Sequence, residues 1–279
     1  MQTGSLPKFS SRFHSPLIQN IKEGWRFRRA LWQLTLRNLA QHTRGSVLGV
    51  GWLLLEPMFL FAVYTVVFGY LMKVRFDAGG GVADFALYLL CGLIPFDAMQ
   101  QTALRGTGIL VGNRPLLLHA QFPGWLLPVV EVLTSLMTEL IGLAVLLAAL
   151  LIKGYHWTPW LALLPVLMLT RLLMTAGMAW VSSVLTVFVR DFSQLLRMLL
   201  MLAFFATPVI YPVSLIPEKW RWLENFNPFY WLIAGYRAVV LQGMPPPGGF
   251  WWLLAGSGVF ALLAWVFFNK SLERAKDFL

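Results

Sequence analysis

Five ionisable side chains stand inside otherwise apolar stretches of the 279-residue chain: Glu56, Asp97, Glu131, Glu139 and Arg171. Charge in a low-dielectric setting is costly, so such groups pair with one another or face a cavity. The rest of the sequence excludes most of the chemistry that carboxylates and a guanidinium otherwise support. His14, His42, His119 and His156 are scattered at spacings that suit no zinc site and no serine–histidine–aspartate arrangement. The dipeptide Gly-Lys does not occur, so there is no GxxxxGK[ST] loop to cradle nucleotide phosphates. The single cysteine, Cys91, has no intrachain disulfide partner. An enzyme acting on lipid-linked sugar would need an acid–base pair near a membrane face. Its nearest candidates, Glu218 and Glu224, flank an aromatic segment and have no paired base. The expectation is a chain with no catalytic residues, no metal and no cofactor of its own.

The elements that hold these residues are apolar to an extent no soluble fold can use. Hydrophobic residues make up 58% of the chain and charged residues 12%, against roughly 45–50% and 25% in ordinary globular proteins. The apolar runs are continuous, which argues for helices and against a transmembrane barrel. The sequence predicts an all-α polytopic membrane protein with six spans, at about 50–72, 85–104, 124–152, 157–189, 195–210 and 250–268. Residues 1–30 form a polar, basic tail without the apolar core of a secretion signal. A net charge of +10 would point to nucleic acid in a soluble protein; here the basic residues flank spans, and no nucleic acid is expected. With six spans, fifteen Lys and Arg fall on the side of the termini. Only Lys73, Arg75, Lys153, Lys219, Arg221 and Arg237 fall on the other. That bias orients both termini, including a 271–279 tail, toward the cytoplasm, with membrane lipids around the spans.

Two segments depart from simple spans. In 31–44, Trp32, Leu36 and Leu39 share one helical face while Arg37, Gln41 and Arg44 cluster opposite, as in an interfacial helix on the cytoplasmic surface. Between 211 and 248 the chain is too aromatic for a solvated loop, yet Pro212, Pro217 and Pro228 cut it too short to cross. Two short helices dipping into the outer leaflet and returning, between spans five and six, satisfy both facts and imply a protein-lined cavity. At ~1.5 Å per residue, Glu139 lies about 24 Å from Pro123 and Arg171 about 18 Å from Pro159. Both land near the midplane, and the two are expected to pair.

Three blocks carry a family resemblance. The first runs from Arg37-Asn-Leu-Ala-Gln-His-Thr-Arg44 through Gly49-Val-Gly-Trp52 to Leu55-Glu56-Pro57. The second is Asn113-Arg-Pro-Leu116 with Phe122-Pro123 and Leu127-Pro128. The third is Arg190-Asp191, Thr207-Pro208-Val-Ile-Tyr211-Pro212, Asn227-Pro228 and Gly235-Tyr236-Arg237. In this order and spacing the chain, over about 31–270, resembles the membrane subunit of ABC-2-type polysaccharide exporters, the group of O-antigen, capsule and teichoic-acid permeases. The resemblance implies a homodimer that binds two copies of a separate ATP-binding subunit, with ATP and Mg held there. It implies export of a lipid-linked polysaccharide across the bacterial inner membrane, with a possible periplasmic partner. The alternative within the family is a lipid or drug permease.

The resemblance also assigns roles. The 105–124 loop would carry an ATPase-coupling helix at about 112–121, with Asn113, Arg114, Pro115, Leu116, Leu117, His119 and Phe122 at the contact. Tyr211, Pro212, Asn227, Pro228 and Arg237 would belong to the outer re-entrant gate. Gly124-Trp125 departs from the pattern, which has a charged residue after Phe-Pro. A sugar polymer presents C–H faces that stack on rings, which makes Tyr64, Phe68, Trp180 and Phe188 candidates for its path. Arg28, Arg29, Arg37 and Arg44 stand where a lipid-linked phosphate or pyrophosphate would first bind.

Overall fold

The computed structural model describes residues 25–41, 48–67, 82–119, 122–155, 158–213 and 216–279. These residues are helical, with no strand among them. In chain order the helices are α1 (Arg28–Gln41), α2 (Trp52–Tyr64), α3 (Val82–Gly112), α4 (Arg114–His119) and α5 (Leu126–Ile152). They continue with α6 (Leu164–Phe188), α7 (Phe192–Ala206), α8 (Trp222–Phe226), α9 (Pro228–Arg237) and α10 (Gly248–Asp277). Among the described residues, three helical segments are long and apolar enough to cross a bilayer: Leu126–Ile152, Pro159–Phe188 and Gly248–Asp277. Large apolar side chains face outward along them and along α7, as with Leu199, Leu202, Phe205, Val259 and Leu263. In water such a surface would aggregate; in lipid it is satisfied. The chain is a multi-pass membrane protein.

Several element ends differ from the sequence expectation, each for a local reason. Helix α3 does not stop at 104 but continues to Gly112, because Arg105–Val111 contains no proline and its glycines are tolerated in an apolar helix. The stop comes at Asn113, whose amide Nδ2 donates to Ile109 O (2.9 Å) while its carbonyl accepts from Leu116 and Leu117 N–H. The expected coupling segment is therefore a six-residue helix, Arg114–His119; residues 120 and 121 lie outside the described residues. Helix α7 ends at Ala206, short of 210, because Thr207 precedes Pro208 and is held extended (φ −102°, ψ 137°). Helix α10 passes 268 and runs to Asp277, with Leu272 and Ala275 buried, so 271–279 is not a free tail.

The packing core is built on α6. Its partner α10 buries a single stripe at 250, 257, 261, 264, 268, 272 and 275, the three-and-four alternation of one helix face. On α6 the matching surface contains Gly177, against which the Phe260 ring lies. Where α3 crosses α6, Gly106 sits on Ala179, and Ser182 Oγ donates to Ala103 O across the contact (3.2 Å). Leu143 and Leu146 of α5 and Ile233 of α9 complete the cluster with Leu167 of α6, Phe250 of α10 and Val239 just after α9. At the end away from α1, Lys153 pairs with Asp84, joining α5 to α3, and Tyr155 OH donates to the same carboxylate (3.3 Å).

Helix α1 lies along the start of α5 with Leu31, Thr35 and Asn38 inward, while Trp32 and Leu36 stay exposed. The apolar face noted in the sequence therefore points away from the protein, and a second face, about 100° around, packs. Residues 42–44, the end of the expected interfacial helix, lie outside the described residues.

A Cβ on residue 106 would stand 3.2 Å from the Ala179 backbone. Gly106→Val is expected to destabilise the detergent-solubilised chain by about 1–3 kcal/mol. Gly256→Val, in open space, is the control. Equal thermal midpoints for the two variants would show that the α3–α6 crossing is not tight.

Candidate functional site

Ser135 and Glu139 stand one turn apart on α5, so both side chains reach the same point on α6, which is Arg171. Arg171 is fully buried. Its Nε donates to Glu139 Oε2 (3.0 Å), its Nη2 to the same oxygen, and its Nη1 to Ser135 Oγ (2.7 Å). The other carboxylate oxygen, Oε1, accepts from Tyr236 OH on α9 (2.6 Å). One charge pair thus ties together α5, α6 and the second short helix. The pair matters more for what its loss would leave behind than for net attraction, since either partner alone would be an uncompensated buried charge.

A second buried guanidinium lies nearby. Arg237, counted in the sequence on the side opposite the termini and placed in the re-entrant gate, is 5% exposed. Its Nη1 donates to Pro208 O and to Tyr88 OH (both 2.7 Å), and its Nη2 donates to Val209 O (2.6 Å). The carbonyls freed where α7 breaks at Thr207-Pro208 therefore meet a cation rather than lipid. Gly92 makes the room: a Cβ there would stand 2.9 Å from Nη2. Around the same break, Tyr211 OH donates to Phe205 O (2.8 Å), and Asn227 Nδ2 donates to Thr207 Oγ1 (2.8 Å). Asn227 Oδ1 accepts from Phe229 N–H (3.0 Å), starting α9, with Pro228 in its first turn. Pro212 is half-buried in the same turn. Four of the expected gate residues, Tyr211, Asn227, Pro228 and Arg237, are thus joined to one helix break. Glu218 is exposed and Glu224 buried.

Between α2, α3, α5 and α7 lies a cavity of about 760 Å³. Glu139 reaches its wall, and Tyr64 lines it together with Glu56. Along α3 runs a polar ladder that the sequence analysis did not single out. Arg105 Nη2 donates to Gln101 Oε1, and Gln101 Nε2 donates to Asp97 Oδ2, each at 2.5 Å. The available signal was the spacing: polar residues at i, i+4 and i+8 in an apolar helix define one face. Trp180 and Phe188 do not line this cavity. Trp180 donates Nε1 to Trp125 O (3.1 Å), and Phe188 packs edge-on against Phe278 (5.4 Å). Phe68 lies outside the described residues.

At the end carrying α1 and the C-terminus, Leu116 and Leu117 of α4 pack into a cluster with Leu110, Leu127, Phe268 and Leu272. Arg114, Pro115 and Leu118 stay exposed. His119 closes the helix, and Phe122 meets Phe27 edge-on (5.5 Å). Gly124, the departure noted in the sequence, has a steric reason: a Cβ there would stand 2.9 Å from both Leu117 and Leu272. Of the basic candidates, Arg28 lies over Trp25 (4.6 Å), Arg29 and Arg37 are exposed, and Arg44 is outside the described residues.

The cavity sets Glu56, Asp97, Gln101 and Arg105 into a largely apolar lining between helices, a setting suited to passage of a polar group through a membrane protein. A family model described as ABC-2 type transporter matches residues 29–241, and the chain belongs to that family as a permease subunit. Among its relatives is an O-antigen export system permease protein RfbA of Myxococcus xanthus. The two are 28% identical over 265 residues, covering 94% of this chain and 98% of the relative. A Klebsiella pneumoniae protein of the same description is 25% identical over 212 residues, 76% of this chain and 80% of that one.

Removing one member of the Arg171–Glu139 pair, as in Glu139→Leu or Arg171→Met, is expected to cost about 3–5 kcal/mol. The double variant should regain most of that loss in thermal midpoint and yield. Strict additivity of the two losses would show that the groups are not coupled.

Proposed function

We propose that the chain is the transmembrane subunit of an ATP-driven exporter that carries a lipid-linked polysaccharide across the bacterial inner membrane. The observation that carries this reading is the cavity bounded by α2, α3, α5 and α7, taken together with relatives described as O-antigen export permeases. The spans would number six, with α8 and α9 as the re-entrant pair on the outer side and both termini in the cytoplasm. A second copy of the chain would close the cavity into a path. The polymer's hydroxyls would exchange hydrogen bonds with Gln101, Asp97 and Glu56, while Tyr64 offers a ring face. Arg28, Arg29, Arg37 and Arg44 would meet the lipid phosphate on the cytoplasmic side, and a periplasmic partner would continue the route.

Energy would come from two copies of a separate ATP-binding subunit, which hold ATP and Mg. This chain's part is mechanical. The exposed face of α4, with Arg114, Pro115 and Leu118, would seat on that subunit, and its apolar face hands displacement to α3 and α10.

Purification of the tagged chain in mild detergent is expected to bring down a stoichiometric ATPase. Leu118→Asp should abolish that association while leaving the thermal midpoint unchanged, because Leu118 is 41% exposed. A wild-type chain free of any ATPase in several detergents would overturn the reading.

A further inference from the structure

A second cavity, of about 380 Å³, opens between α1, the end of α3 and the start of α5. On α3 it is lined by Arg105, Gly108, Ile109 and Gly112, at i, i+3, i+4 and i+7, hence one helix face. A Cβ at either glycine would meet nothing within 4 Å, so these two positions open the pocket rather than permit tight packing. Arg37 approaches from α1. Asn38 lies beside it and donates to Glu131 Oε1 (2.6 Å), which fixes the orientation of the one carboxylate on this wall without removing its charge. Two guanidiniums from different elements therefore face one volume containing a single acid. Arg105 is also a wall of the larger cavity, where its Nη2 holds the Gln101–Asp97 ladder.

We propose that this pocket binds a phosphate-bearing head group between Arg37 and Arg105, and that Arg105 is the point where the pocket joins the polar ladder of the transport cavity. Guanidinium forks suit phosphate oxygens in geometry and charge. The remaining donors of Arg105 are set to grip a phosphate on one side while Nη2 keeps the ladder on the other. A bound phosphate that draws Arg105 away would release Gln101 and Asp97 to new partners. The inference rests on the exporter reading only for the source of the phosphate. That source is either a lipid-linked diphosphate or the head group of a membrane phospholipid.

The test uses the full chain in dodecyl maltoside, a detergent without phosphate. Geranyl diphosphate is titrated against the wild type, Arg105→Gln, Arg105→Lys and Gly108→Leu, with geraniol as the uncharged probe. Geranyl diphosphate should bind and geraniol should not. Arg105→Gln should weaken binding about tenfold or more, as loss of a charge-assisted hydrogen bond predicts. Arg105→Lys should restore part of it. Gly108→Leu fills the pocket without touching a charge and should weaken binding at least as much. If Arg105→Gln is unstable, this variant carries the test. Arg190→Gln, on an exposed turn, should bind as wild type. Unchanged binding in Gly108→Leu, or equal weakening in Arg190→Gln, overturns the pocket. Competition by dihexanoyl phosphatidylglycerol at equal strength assigns the phosphate to bulk lipid; failure to compete assigns it to the diphosphate carrier. Probe binding needs no ATPase, so a chain that binds the probe but brings down no ATPase refutes the exporter reading and leaves the pocket standing.

Discussion

Placing Arg171 and Glu139 in the middle of the apolar layer constrains everything built around them. Neither charge can be left alone there, so α5 and α6 are committed to one rotation and one depth relative to each other. Tyr236 extends the commitment to α9, a helix too short to hold its own position in lipid. Ser135 takes a third donor of the guanidinium, so the site is satisfied from two turns of α5. Apolar packing alone would let the helices slide past one another by a turn at modest cost. The ion pair makes such a slip expensive, and so fixes the wall of the cavity to which Glu139 belongs.

The same physics explains the non-helical backbone of the third sequence block. A helix that stops at Thr207-Pro208 leaves carbonyls that bilayer hydrocarbon cannot satisfy. Arg237 supplies the donors, Asn227 ties the break to the start of α9, and Gly92 leaves space for the guanidinium. Arginine is suited to this task because its planar fork reaches two successive carbonyls and a phenol at once. The break is thus hydrogen-bonded by side chains from α9 and the residue before it.

Much of this was legible in the sequence. Long uncharged runs show where helices lie, since a span needs about 20 apolar residues whatever surrounds it. The ends were less legible, because they depend on local capping and on what the end packs against. Helix α10 outlasts its apolar run because Leu272 and Ala275 continue its buried stripe among charged neighbours. Arg237 was placed in the re-entrant segment, but its partners there could not be read, because they include backbone carbonyls 28 and 29 residues away that leave no trace in residue type. Aromatic identity marks a ring but not the face it occupies, so Tyr64 lines the cavity while Trp180 and Phe188 pack elsewhere. The Arg105–Gln101–Asp97 ladder was visible as a spacing and required only the recognition that one face of α3 is polar.

How the two ends of the molecule communicate follows from where contact is dense and where it is sparse. Helix α4 is not a free paddle: Leu117 is wedged over Gly124 against Leu272, which joins it to the end of α10. Along its buried stripe α10 is bound to α6, and α6 carries Arg171. Close-packed helices transmit a displacement as rigid bodies, because shearing the contact would open voids or force clashes. Helices α2 and α7 are the opposite case. No residue of α2 and only Leu200 of α7 is buried, and both border the cavity. Moving them forfeits the least packing, so a change in cavity width costs least when these two helices carry it and the ion-paired core stays intact.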